Sequence, residues 1–125
     1  MRILAWLLMA TPAFAADPIG GIWQTPPGGD GVAGLVQIAP CGTGFCGTVV
    51  GGVGPEGRAV PSAYEGEMVL RQVTRHGTRY QGGEVMNPET GDRYAARLIL
   101  DGDWLDVGGC VMVICRSGGV WRRVN

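Results

Sequence analysis

The chain of 125 residues contains no lysine, a single histidine and no long apolar run. All ten basic residues are arginine, which reads as a signature of a GC-rich genome rather than of chemistry. His76 stands alone between Arg75 and Gly77 in a turn, without the clustered His and Cys that a structural or catalytic metal needs, so neither a metal nor a cofactor is expected. Charge is scarce too: setting Arg2 aside, nine basic residues meet eleven acids, a formal charge of minus two. That balance gives no electrostatic footprint for nucleic acid and no basic patch for a membrane surface. No helical periodicity longer than about two turns follows residue 15. No apolar run approaches the roughly 20 residues that span a bilayer core of about 30 Å, so no integral membrane segment is expected.

What is present at the start has an export pattern. Arg2, the apolar stretch from Ile3 to Ala10 and the small residues of Ala13-Phe14-Ala15 compose a secretory signal peptide over residues 1–15. Cleavage would leave residues 16–125 as a single domain in the periplasm or outside the cell, with no Cys behind the cleavage site to take a lipid. A chain of that size buries roughly two-thirds of its surface on folding, enough for one core.

Glycine (23) and proline (8) punctuate short apolar runs, a pattern of many short strands and tight turns. The clearest stretch runs from Tyr80 to Leu100. Asn87-Pro88 and Gly91-Asp92 supply a fixed φ and a residue tolerant of positive φ, which predicts a β-hairpin. On its second strand Tyr94, Ala96, Leu98 and Leu100 share one face, while Arg93, Ala95, Arg97 and Ile99 share the other. Gly82-Gly83 interrupts the first strand and predicts a bulge. Elsewhere a strand from Gly20 to Thr25 is expected to stop at Pro26-Pro27-Gly28-Gly29, a second runs over Val32–Ala39 with Val36 and Ile38 inward, and a third over Phe45–Val50. Gly51 to Pro61 is the longest expected loop, a lid or slack. A fourth strand, Glu67–Val73, sets Met68 and Leu70 on one face and Val69 on the other. Trp104–Val107 and Val120–Val124 complete eight or nine strands. A meander of that count exposes two edges unless it closes, so the expected fold is all-β, a single antiparallel up-and-down β-barrel of about eight strands. A two-sheet sandwich is the alternative.

Four cysteines in an exported chain of this size predict two disulfides. Cys41 and Cys46, like Cys110 and Cys115, are five residues apart. Five extended residues span roughly 16 Å, whereas bonded Cα atoms lie within about 7 Å, so each pair needs a turn between its members. Gly42-Thr43-Gly44 supplies one. Val111-Met112-Val113-Ile114 is a poor turn by composition, and crossed pairing such as Cys41 with Cys110 stays open. Four intervening residues and no flanking helix speak against a redox site.

Barrel closure would bring Trp23, near the start, beside the end of the chain. Arg123, on the same side of its strand as Trp121, is the expected cation–π partner of Trp23; the alternative buries Trp23 alone and leaves Arg122 and Arg123 solvated. Taken in order, Gly21-x-Trp23, Cys41-Gly42 with Cys46-Gly47, Gly82-Gly83-x-Val85-x-Asn87-Pro88 with Gly91-x-x-Tyr94, and Gly109-Cys110 with Cys115-Arg116-Ser117 and Trp121-x-Arg123 resemble the family called domain of unknown function 2147. The resemblance covers essentially the whole chain after residue 15. It departs at Tyr80, where that family often has Trp, and at Thr48, where it often has Lys. It implies a small exported bacterial protein with a lipocalin-like barrel, and brings no catalytic residues.

The functional expectation is a non-enzymatic module that binds a small apolar or amphipathic molecule inside the barrel, lined by Val36, Ile38, Met68, Leu70, Tyr94, Leu98 and Leu100. The alternative has these side chains filling the interior, with a structural or protein-interaction role in the envelope carried by Trp104 or the Gly51–Pro61 loop. An enzyme is not expected. Glu84, Glu89 and Asp92 lie beside a turn where solvation is the default, and His76 has no predictable Ser or Asp partner.

Overall fold

A computed structural model describes residues 17–125, so the signal-peptide expectation lies outside the described residues. The short apolar runs form nine strands: β1 (Gly21–Pro27), β2 (Ala33–Cys41), β3 (Gly44–Val53), β4 (Ala59–Val60), β5 (Met68–His76), β6 (Arg79–Met86), β7 (Arg93–Asp101), β8 (Trp104–Val111) and β9 (Ile114–Arg123). Strand β4 is a two-residue outgrowth on β3, and β3 then pairs with β5. The other eight pair in sequence order, all antiparallel, and β9 returns to β1 through Trp23 opposite Arg123 and Gln24 opposite Arg122. The sheet is therefore a closed eight-stranded up-and-down barrel, not a sandwich.

Three local differences from the sequence reading matter. Strand β1 continues through Pro26 and Pro27, with Pro27 opposite Ala33 after a register shift. Two residues without an N–H are tolerated there because the β1–β9 ladder contains no pair beyond Gln24. The Gly51–Pro61 stretch is largely a hairpin: Gly52 and Val53 pair with Val60 and Ala59, and the Gly54 amide donates to the Arg58 carbonyl at 2.8 Å. Along β5 the alternation breaks. Gly47 pairs with Leu70 but Thr48 with Met68, so Val69 is an extra residue and is buried beside Leu70 on the inner side. A second extra residue follows, at Gln72, whose φ is 53°, and this puts Val73 inside as well.

The predicted Gly82-Gly83 bulge lies against that second irregularity, with the β6–β7 register shifting between Gln81 and Glu84. A Cβ on Gly83 would collide with the backbone of Arg71 and Gln72, so glycine is what lets two bulged strands pack at this corner. On β7, Ala96, Leu98 and Leu100 are buried as the alternation predicts.

The interior is solid at one end. Trp23, Tyr80, Ile19, Ile38, Leu70, Leu98, Leu105 and Val73 are fully buried, and Phe45 meets the Tyr80 ring edge-on at 5.9 Å between centroids. Each such side chain contributes roughly 1.5–3 kcal/mol by leaving water. The two ion pairs among the described residues, Arg75–Asp17 and Arg123–Asp103, each have at least one well-exposed partner and contribute about 0–1 kcal/mol apiece. Burial, not charge pairing, holds the barrel.

Candidate functional site

The strand directions give the barrel two different ends. The floor carries the β2–β3, β5–β6 and β7–β8 turns and both termini of the described chain. Here Asp17-Pro18-Ile19 crosses the opening: Ile19 is fully buried, and the Trp23 indole N–H donates to the Ile19 carbonyl at 2.9 Å. Arg123 lies over the Trp23 ring at 4.4 Å from its centroid and donates to the carbonyls of Gly20, at 2.7 Å, and Pro18. The Tyr80 hydroxyl donates to Asp17 Oδ1 at 2.5 Å. Burial, and then the hydrogen bond and charge of Asp17, hold the Tyr80 phenol well above its ordinary range. The floor is sealed by packing and by satisfied polar groups.

The mouth carries the β1–β2, β3–β5, β6–β7 and β8–β9 connections, and it opens into a cavity of about 780 Å³. The reason lies in side-chain size. Inward positions of the lower half hold Trp23, Ile38, Leu70, Tyr80, Leu98 and Leu105, whereas those of the upper half hold Val36, Val49, Val69 and Val107, with Gly34, Gly108 and Gly109 also on the wall. A Cβ on Gly109 would stand 2.7 Å from Cβ of Tyr94, so this glycine is what leaves room for the Tyr94 side chain on the wall. Trp121 and Tyr64 add aromatic surface. Polar side chains are few: Thr25, Asp30, Ser62, Asn87, Glu89, Arg116 and Ser117, beside the two tyrosine hydroxyls. Glu89 joins two of the mouth connections, accepting a hydrogen bond from the Gly29 amide at 2.9 Å across 60 residues of sequence. Beyond Gln24 and Arg122 the β1–β9 seam is unpaired, and Thr25, Pro26 and Pro27 on one strand and Ser117 and Gly118 on the other also line the cavity.

The seven residues expected to line a site divide. Val36 and Tyr94 are on the cavity wall. Ile38, Leu70, Leu98 and Leu100 pack in the filled lower half, and half-buried Met68 is not on the wall. The sequence reading missed Val49, Val69, Val107 and Trp121. Alternation along the strands carries the signal for Val49 and Val107, but only a bulge turns Val69 inward. Trp23 and Arg123 meet as described. Both disulfides are local, Cys41–Cys46 with Cα atoms 5.7 Å apart and Cys110–Cys115 with Cα atoms 4.0 Å apart, which removes the crossed alternative. The Val111–Ile114 stretch does make a turn: Cys110 faces Cys115, Val111 faces Ile114, and Met112 takes a φ of 57°.

The titratable residues considered for chemistry are scattered. Glu89 is on the rim, Glu84 and Asp92 are exposed, and His76 is at the floor end with its Nε2 3.4 Å from Thr74 Oγ1. Among the described residues no group of three or more His, Cys, Asp or Glu side chains could hold a metal ion, and no helix is long and apolar enough to cross a membrane. Trp104, one alternative location for function, is exposed at the floor end beside the β7–β8 turn.

The family model described as "Uncharacterized protein conserved in bacteria (DUF2147)" matches residues 21–123. No curated protein matches the chain. A solved structure, that of protein HP1028 from the human pathogen Helicobacter pylori, described as belonging to the lipocalin family, superposes with a TM-score of 0.65 at 16% sequence identity, covering 85% of this chain and 82% of that one. At that identity the likeness is one of fold.

Proposed function

The chain belongs to the DUF2147 family, and on that premise we propose that it is a non-enzymatic binding module that takes a small apolar or amphipathic molecule into the upper half of its barrel. The observation that carries this reading is the cavity of about 780 Å³ with a valine and tryptophan wall and a sparse polar rim. Sites for small molecules fall at about 300–1,000 Å³ and are mostly apolar with a few placed polar groups. The apolar part of the ligand would contact Val36, Val49, Val69, Val107 and Trp121. Its polar end would stay at the mouth, near Tyr94, Asn87 and Arg116.

We place this activity in the periplasm or outside the cell. Two disulfides persist in an oxidising compartment, and the residue pattern of Met1–Ala15 is that of an export signal.

The test is native mass spectrometry of protein purified from the periplasm without denaturation, beside titration with an apolar fluorescent dye followed through Trp121. The expected result is an adduct that denaturation removes, and dye binding that a Val69→Trp substitution abolishes while the thermal transition stays cooperative. A clean apo mass together with no dye binding by the folded protein would overturn the reading and favour a structural or protein-interaction role.

A further inference from the structure

At the mouth, four consecutive apolar residues form the tip of the β8–β9 hairpin: Val111, Met112, Val113 and Ile114 are 61%, 93%, 94% and 65% exposed. Exposed apolar side chains are ordinary when single, but a contiguous set at the end of a projecting turn marks an interaction site. From this tip we infer that the protein docks on a lipid bilayer, with the β8–β9 tip inserted into the interfacial region and the cavity mouth turned to the membrane.

Three observations select a bilayer over a protein. The first is size and shape. A stable protein interface engages about 20–30 residues a side, whereas a convex two-residue turn offers only the side chains at and beside it. A bilayer needs no complementary surface, since it closes around whatever enters it. The second is rigidity. The Cys110–Cys115 bond clamps the two strands one residue behind Val111 and Ile114, so the tip is built before docking and loses little conformational freedom on insertion. The third is continuity: the same four residues line the apolar cavity. A molecule leaving the bilayer along the tip would reach the wall without crossing water.

Charge says what kind of surface it is. Arg116 and Arg93 lie on the strands flanking the tip, and neither belongs to an ion pair among the described residues. A guanidinium is a bidentate donor suited to a lipid phosphate. Asp30, Glu89 and Asp92 on the neighbouring connections offset them, so net attraction to anionic lipid is small. Insertion of apolar side chains drives the docking, and a zwitterionic surface suffices.

The inference goes beyond the ligand reading, because vesicle binding is measured whether or not the cavity is filled. Protein lacking residues 1–15 is floated with vesicles of phosphatidylcholine alone and of phosphatidylcholine mixed with phosphatidylglycerol. Co-flotation is expected with both, changing less than about twofold as salt is raised over the range that screens exposed charges. The double substitution Met112→Ser/Val113→Ser should lower partitioning about tenfold or more, while Trp104→Ser, which removes an exposed indole from the opposite end, should leave it unchanged. A tryptophan introduced as Val113→Trp should shift to the blue and be quenched by bromine-labelled acyl chains. No flotation of the folded protein, equal flotation of the tip variant, binding only to anionic vesicles, or dimerisation through the tip in place of lipid binding would each overturn the inference. Dye binding retained in a protein that does not float would sink the docking alone and leave the ligand reading standing.

Discussion

Replacing Arg123 with alanine should unlock the floor of the barrel. The guanidinium makes three kinds of contact, and their magnitudes differ. Its position 4.4 Å above the Trp23 centroid is a cation–π contact of about 1 kcal/mol, the indole being buried. Its hydrogen bonds to the Gly20 and Pro18 carbonyls are charge-assisted and tie the crossing segment to the last strand; at a partly wet site they contribute about 1 kcal/mol each. Its ion pair with Asp103, at 3.2 Å, has a carboxylate side that is 75% exposed and adds about 0–0.5 kcal/mol. The expected loss is about 3 kcal/mol, which for a domain of this size lowers Tm by about 15 °C. Arg122 supplies the internal comparison: one residue earlier, it is exposed and donates to Gln24 Oε1 at 3.2 Å, so Arg122→Ala should cost about 0.5 kcal/mol or less. Arg123→Lys should fall between, keeping the charge over the indole but not the fork that reaches two carbonyls. Thermal and urea unfolding of the three variants decide the matter. Equal losses for Arg122→Ala and Arg123→Ala would mean that core packing alone closes the barrel.

Three further substitutions test the corner and the floor. Gly83→Ala puts a methyl group into the backbone of Arg71 and Gln72 and should cost about 3 kcal/mol or more, whereas Gly91→Ala, at a φ of 79° with open space around it, should cost about 1–2 kcal/mol; urea midpoints that rank the two the other way would show that the corner relaxes. Tyr80 predicts an alkaline limb of instability. Its phenol is raised in the folded state by burial and by Asp17, so above about pH 10 the unfolded chain gives up a proton that the folded chain keeps. Stability should then fall with rising pH by up to about 1.4 kcal/mol per unit, with no contribution from this group below pH 10. Tyr80→Phe should flatten that limb, and an identical alkaline slope in the variant would remove Tyr80 as its cause.

Much of the architecture was legible because turn chemistry is local. Asn87-Pro88 and Gly91-Asp92 bound a hairpin by their own φ preferences, Gly82-Gly83 marks a bulge, and alternation along Tyr94–Leu100 assigns a face. The Trp23–Arg123 contact was legible for another reason: closure of a meander brings its ends together whatever lies between. What failed depends on backbone conformations that the residues do not advertise. Gln72 and Met112 take positive φ without being glycine. The first is the second extra residue of β5, which puts Val73 inside, and the second makes a turn from Val111-Met112-Val113-Ile114. The cavity depends on register as well, since the contrast between mostly valine above and mostly larger side chains below appears only once each residue has a height in the barrel.

The size of the cavity also argues what state it is in. A sealed void costs roughly 24 cal/mol per Å³, so an empty space of about 780 Å³ would cost about 19 kcal/mol. That exceeds the roughly 5–15 kcal/mol by which a domain is stable. The upper barrel therefore cannot be a sealed dry hole in a core; it is a cup open at the mouth. Water over the apolar side chains that stay accessible around the cup, Tyr94 and the Val111–Ile114 tip among them, is released when an apolar molecule replaces it, which gives binding its driving force and a negative heat-capacity change. The floor must then hold the fold by itself, and it is there that the large side chains and the Ile19, Tyr80 and Arg123 contacts are concentrated. Calorimetry of dye binding carries the consequence: a heat-capacity change near zero would mean that binding covers no apolar surface and would refute this driving force.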